Sequence, residues 1–157
     1  MISLLSIKTN NLSKKMLRDI LLLKKTHYKY SFESQLKHFK KNYKKNDLHN
    51  LLLYNKKLIG YTALRRTKIK LNKKLIHIFL FDALIIKNKF RKLLFSSILM
   101  NFNNYIIKKN KKISTLKCNI NMVAFYQKFG WLKKNIKIKS ISNDNKKNMF
   151  FNLCNLH

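Results

Sequence analysis

The stretch Asn119-Ile120-Asn121-Met122-Val123-Ala124-Phe125-Tyr126-Gln127-Lys128-Phe129-Gly130-Trp131 decides how this chain is read. Its apolar and polar residues alternate as in a short helix, Ile120 to Phe129, which has to stop before Trp131. Gly130 stands where the stop is needed. The 157 residues contain only two glycines and no proline, and a glycine just past a helix marks a left-handed turn that releases the chain into a strand. Strands are therefore expected on both sides of the helix. Ile113 to Asn119 precedes it, and Trp131 to Ser140 follows. A polar turn over Ser142 to Lys147 and a last strand, Asn148 to Leu153, end the pattern.

Moving toward the N-terminus, Phe90 to Lys109 shows helical spacing through Leu94, Ser97, Ile98, Phe102 and Tyr105-Ile106. Leu75 to Ile86 is apolar on both faces and reads as a central, buried strand. His49 to Leu64 forms a hairpin: one strand to Tyr54, a turn at Asn55-Lys56-Lys57, and a second strand carrying the other glycine, Gly60. Two amphipathic helices precede it. One spans residues 11–25, with Leu12, Met16, Leu17, Ile20 and Leu21 on a face and Asn10 or Asn11 as N-cap. The other spans 32–45, capped by Ser31, with Phe32, Leu36, Phe39 and Tyr43 aligned. Residues 2–8 form a first strand. The order β-α-α-β-β-β-α-β-α-β-β, unbroken by linkers or repeats, predicts one α/β (α+β) domain over residues 1–157, with helices packed on a mixed sheet.

Two of these stretches resemble the GNAT (GCN5-related N-acetyltransferase) superfamily. Asn119, Phe125, Tyr126, Gly130 and Trp131 fall at the spacing of its N-x-x-A-x-x-F-Y-x-x-x-G-F pattern, with Met122 at the alanine. The segment Ile86-Lys87-Asn88-Lys89-Phe90-Arg91-Lys92-Leu93-Leu94-Phe95-Ser96 leaves a strand and enters a helix, like the family's Arg/Gln-x-x-Gly-x-Gly/Ala motif. Arg91 holds the first position; Leu94 and Ser96 replace the two small residues. Leu58-Ile59-Gly60-Tyr61 is similar to the family's strand after the hairpin.

The resemblance implies an acyl-CoA N-acyltransferase fold with a splayed central sheet, with acetyl-CoA as cosubstrate and no metal. Amides of Leu84, Ile85 and Ile86 would polarise the acyl carbonyl. Arg91, Lys92, Leu93, Leu94, Phe95 and Ser96 would seat the pyrophosphate at a helix N-terminus. The pantetheine arm would lie between the central strand and the next, flanked by Asn119 and Phe125. Tyr126 is the position that protonates the departing thiolate in many relatives. Asp82, a carboxylate in an apolar strand, is the candidate general base. Glu33 and His27 lie where the family builds its acceptor site, and His77 is a further candidate for substrate contact.

Thirty-six lysines and arginines against five acids give a net charge of +31. The four arginines are Arg18, Arg65, Arg66 and Arg91; the remaining positive charge is lysine, spread along the whole chain. Together with abundant asparagine and isoleucine, it fits codon drift in an AT-rich genome. A polyanionic partner is the other reading, since such a field draws anions in. A nucleic-acid-binding protein is the competing class, but no RNP, KH or zinc-finger pattern is present. A catalytically degenerate member of the same fold is a third. Cys118 and Cys154 have no CxxC spacing or histidine cluster, which argues against zinc and a disulfide framework. No apolar run approaches the roughly 18 residues of a membrane span, so a cytoplasmic monomer or homodimer is expected. The acceptor expected is a primary amine, with an amino sugar or sugar nucleotide favoured over a polyamine by charge.

Overall fold

A computed structural model describes residues 1–71, 73–133 and 148–152, the last group, Leu71 and Lys133 as backbone only. Seven strands and four helices follow in the order β1 (Ile2–Lys8), α1 (Lys14–Lys25), α2 (Phe32–Asn42), β2 (Leu48–Tyr54), β3 (Lys57–Leu71), β4 (Lys74–Ile86), α3 (Phe95–Lys109), β5 (Ser114–Cys118), α4 (Val123–Gln127), β6 (Leu132–Lys133) and β7 (Asn148–Asn152). The expected strand over 131–140 is described only to Lys133. The rest of it, the turn at 142–147, and Leu153 and Cys154 lie outside the described residues.

The chain divides into two compact units, residues 1–65 with 82–103, and 66–81 with 104–157. In the first, β1 pairs antiparallel with β2 and β2 with β3, and the strand order runs β1-β2-β3-β4. Ile20, Leu21 and Leu23 of α1 and Phe39 of α2 pack with Leu51, Tyr61, Ala63 and Ile85 to form its core. Each fully buried leucine or phenylalanine contributes about 1.5–3 kcal/mol. In the second unit the order is β4-β5-β7-β6. There β4 pairs parallel with β5 at Phe79–Ser114 and Leu80–Thr115, and β5 runs on past this pairing to Cys118.

Helix boundaries differ from the sequence expectation in four places: the helix expected over Ile120 to Phe129 is a 3-10 turn, Ile120–Met122, followed by α4, Val123–Gln127, and the other three differences have local reasons. Residues 9–11 form a 3-10 turn, and the N-cap of α1 is Ser13, whose hydroxyl accepts from the Met16 amide at 3.1 Å; this satisfies a donor that Asn10 or Asn11 would leave open. Helix α2 ends at Asn42 because Tyr43 turns extended and becomes buried. Helix α3 begins at Phe95 rather than Phe90: Asn88–Phe90 is a 3-10 turn anchored by the Lys87 amide on the Ile59 carbonyl at 2.8 Å.

Both glycines stand where a side chain would not fit or would be strained. A Cβ on Gly60 would come within 2.8 Å of Ile86 Cδ1 and 3.2 Å of Leu52 Cβ, so glycine lets the end of β4 close onto β3. Gly130 has φ +80°. The Gly130 amide bonds the Gln127 carbonyl at 3.0 Å, and the Trp131 amide bonds the Tyr126 carbonyl at 3.2 Å. These two bonds make the left-handed helix terminus expected at this point.

Candidate active site

Asp82 organises the first unit's polar chemistry. It sits on β4 beside Ala83, whose φ of +62° is left-handed. An alanine in this region is strained by roughly 1–2 kcal/mol, and a left-handed residue breaks the regular alternation of side chains along a strand. No sequence signal announces this position. Tyr43 donates its hydroxyl to Asp82 Oδ2 at 2.7 Å, and Arg65 Nη1 lies 3.8 Å from the same oxygen. Oδ1 carries no hydrogen bond among the described residues.

A cavity of about 440 Å³ opens beside this carboxylate, lined by Lys24, Tyr28, Tyr30, Ser34, Gln35, His38 and Asp82. That volume suits a small organic molecule. Helices α1 and α2 and their connection supply every lining residue except Asp82. Lys24 faces inward although it belongs to a run of lysines: only 4% of it is exposed, and its ammonium lies 5.4 Å from the centre of the Tyr43 ring. Burial lowers the Lys24 pKa, with Asp82 opposing and Arg65 reinforcing the shift. Burial likewise lowers His38, helped by the Lys24 charge, and raises Tyr28.

Behind Asp82 runs a buried polar row. Burial holds the pKa of the Tyr43 hydroxyl well above its ordinary value, and Tyr61 and Asp82 reinforce the shift. Tyr61 Oη is 2.8 Å from His49 Nδ1, and His49 Nε2 is 2.9 Å from Thr9 Oγ1. His49 is fully buried and its ring stacks on Phe39 and Tyr61. Burial pushes its pKa down to about 4, an effect reinforced by Lys24 and opposed by Asp82. The imidazole is therefore neutral and bridges its two hydroxyl neighbours, donating through one nitrogen and accepting through the other.

The segment expected to bind pyrophosphate also belongs to the first unit. Arg91 Nε donates to the Ile86 carbonyl at 3.0 Å, and its Nη2 is 3.1 Å from His27 Nδ1. Burial and the Arg91 charge lower the His27 pKa, so the neutral ring accepts from the guanidinium. The Ile98 amide bonds the Leu94 carbonyl at 3.0 Å, which makes Leu94 the N-cap residue of α3. The amides of Phe95 and Ser96 then point out of the helix end without a partner among the described residues. The Leu94 side chain is 78% exposed and fills no pocket, and Leu93 and Lys92 are exposed beside it. Leu84 is half-buried, and Ile85 and Ile86 are buried at the end of β4.

The other candidates lie apart from the cavity lining. His27 contacts Arg91 instead. Glu33 is fully exposed at the start of α2, where the backbone and Ser31 hold its carboxyl below the usual range. His77 is exposed on the second unit's part of β4. In that second unit, Tyr126 is buried with ring centroids 6.0 Å from Phe81 and 6.5 Å from Trp131. Trp131 is fully buried and donates through Nε1 to Asn104 Oδ1 at 3.2 Å. Phe125 is half-buried and Asn119 exposed. Sequence reasoning passed over Lys24, Gln35 and His38. Both helices are legible from their apolar spacing, but that spacing singles out Leu, Ile, Phe and Tyr positions and carries no signal for a polar side chain that lines a cavity. Among the described residues no three histidines, cysteines or acids are placed to hold a metal ion, and no helix is long and apolar enough to cross a membrane.

No protein-family model and no curated protein matches the sequence. Solved structures do match. The chain superposes on Escherichia coli ElaA with a TM-score of 0.68 at 15% identity, covering 96% of this chain and 98% of that one. Glucosamine-6-phosphate N-acetyltransferase from Arabidopsis thaliana gives 0.62 at 15% identity, over 90% and 99%. The Bacillus subtilis N-acetyltransferase YlbP, solved with coenzyme A, gives 0.62 at 13% identity, over 96% and 95%. These matches span nearly the whole of both chains, and the chain has the GNAT acyl-CoA N-acyltransferase fold.

Proposed function

We propose that this chain is an N-acetyltransferase that moves the acetyl group of acetyl-CoA, or a similar acyl group, to a primary amine. The observation that carries the proposal is Asp82: a carboxylate with one oxygen open, lining a cavity sized for a small acceptor, in a chain with this fold. An amine arrives as an ammonium ion, and the open oxygen can hold it and take its proton. The freed nitrogen attacks the thioester carbonyl carbon, the C–N bond forms, and the C–S bond breaks to release CoA thiolate. Amides of Leu84, Ile85 and Ile86 are the candidates for stabilising the oxyanion. Tyr126 is the candidate for returning a proton to the thiolate. Arg91, Lys92 and the partnerless amides of Phe95 and Ser96 support pyrophosphate binding through charge and the positive end of the α3 dipole. Leu94 and Leu93 would contribute backbone rather than side chain there, and Asn119 and Phe125 would flank the pantetheine. An amino sugar or sugar nucleotide is the acceptor favoured by the chain's charge, and one structural neighbour acts on glucosamine 6-phosphate.

Calorimetry at moderate salt tests the cosubstrate: acetyl-CoA is expected to bind at least tenfold more tightly than ADP. Thiol release with a panel of amines tests the reaction. Acetyl-CoA binding no tighter than ADP, or no thiol release above the spontaneous rate with any amine, would sink the proposal.

A further inference from the structure

The cavity beside Asp82 is over-supplied with donors. Gln35 is 4% exposed, and its Nε2 is buried with no hydrogen-bond partner. The Lys24 ammonium has no ion pair or hydrogen bond among the described residues; a tyrosine ring is its close neighbour and Asp82 the nearest acid acting on it. A buried amide donor left without an acceptor is destabilising, and the Lys24 ammonium, on an otherwise buried side chain, meets the cavity without a countercharge bonded to it. Asp82 cannot satisfy them: its Oδ2 is taken by Tyr43 and Arg65, and the transfer chemistry assigns its Oδ1 to the ammonium of the acceptor.

We propose that the acceptor carries an anionic oxygen group, a carboxylate or a phosphate, close to its amine, and that Lys24 and Gln35 are the specificity residues that bind this group. Resting on the transferase reading for the role of Asp82, the proposal divides the cavity into two poles. The ammonium pole is Asp82, on β4. The anion pole is Lys24 on α1 and Gln35 on α2, with His38 one turn further along α2. The charged and titratable groups that act on Lys24 are Asp82 and Arg65, and those on His38 are Lys24, Asp82, Arg65 and Lys41. Positive charge therefore predominates around the anion pole. An incoming anion would offset the cost of burying the Lys24 charge and give the Gln35 amide an acceptor.

Binding measured without acyl-CoA separates this inference from the transferase reading. The probes are glucosamine 6-phosphate against glucosamine, and an L-amino acid against its amide, each titrated by calorimetry at physiological salt. The anionic member of at least one pair is expected to bind tenfold or more tightly than its neutral partner. Which pair shows the difference identifies phosphate or carboxylate as the group. Lys24→Met should abolish that difference, whereas a surface lysine such as Lys56→Met should preserve it and so exclude the general positive field as its cause. Equal affinities within both pairs, or a preference unchanged in Lys24→Met, overturn the proposal. Should Lys24→Met not fold, Gln35→Leu and the wild-type pairs decide in the same way. Thiol release is read separately: its failure with every amine would refute the transferase while leaving a charge-selective cavity in place.

Discussion

Lowering the pH should destabilise this protein through one residue, His49. The imidazole is fully buried, its neighbours are the rings of Phe39, Tyr43 and Tyr61, and its pKa falls from 6.5 to about 4. The sign follows from proton counting. Between these two values the unfolded chain holds a proton at this site that the folded chain does not, so stability is fully present above pH 6.5 and is lost as the pH falls toward 4. At about 1.4 kcal/mol per pH unit, the loss over that window is about 3 kcal/mol. That is a large fraction of the roughly 5–15 kcal/mol that holds a typical domain together. With only five acids in the chain, carboxylate protonation contributes little to mask the effect. His27 and His38 shift in the same direction, but both are largely exposed and add little. Urea denaturation at fixed ionic strength, from about pH 7.5 to about pH 4.5, measures the slope. His49→Gln keeps a polar group in the row and removes the titration, so its stability should be lower at neutral pH and nearly flat across the window. Parallel pH profiles for wild type and variant would refute the reasoning, because the acid sensitivity would then lie elsewhere.

Four further outcomes follow from the site and the fold. Asp82→Asn should lower kcat/KM for acyl transfer by about 10²–10⁴ while leaving acetyl-CoA affinity within about twofold, as read by thiol release and calorimetry. Arg91→Gln should weaken acetyl-CoA binding about tenfold and flatten its dependence on salt, since a charge-assisted contact to phosphate is lost; unchanged affinity would remove Arg91 from the pyrophosphate site. Gly60→Ala should destabilise by about 1–3 kcal/mol through overpacking against Ile86 and Leu52, and Gly130→Ala by about 1–2 kcal/mol because φ +80° remains while space is open, both measured by urea denaturation.

The sequence carried most of the fold and little of the cavity. The hairpin, the central strand and the glycine-stopped helix were legible because each rests on local chemistry: alternation, an apolar run, a left-handed terminus. The start of α3 was not, since two of the bonds that fix the segment before it are long-range, Lys87 to Ile59 and Arg91 to His27. The same limit applies at the site. Asp82 stood out as a charge in an apolar strand, but its partners Tyr43 and Arg65 come from 39 residues earlier and from the preceding strand. Lys24 looked like one more solvated lysine among many. Its burial depends on α1 and α2 packing over β4, which no local pattern encodes. Ala83 gave no signal at all, because alanine is an unremarkable strand residue until its φ is known.

The scarcity of acids sharpens the assignment of Asp82 and makes a last prediction. Of the five, Asp144 lies outside the described residues and Glu33 is exposed at a helix start. Asp47 is buried and accepts from the Lys44 amide at 2.8 Å, closing a loop. Asp19 lies on α1 and does not line the cavity, which leaves Asp82 as the acid that does. An ammonium ion seeking it must cross the field of a chain with net charge +31. That field slows cations and speeds anions, and salt screens it over about 8 Å at physiological ionic strength. An amine that brings its own anionic group escapes the repulsion before it reaches the cavity. For such an acceptor kcat/KM should fall as salt rises. For a plain monoamine or a polyamine it should rise, because screening removes a barrier rather than an attraction. A common salt response for both classes, measured as thiol release at saturating acetyl-CoA, would show that the surplus charge has no part in choosing the acceptor.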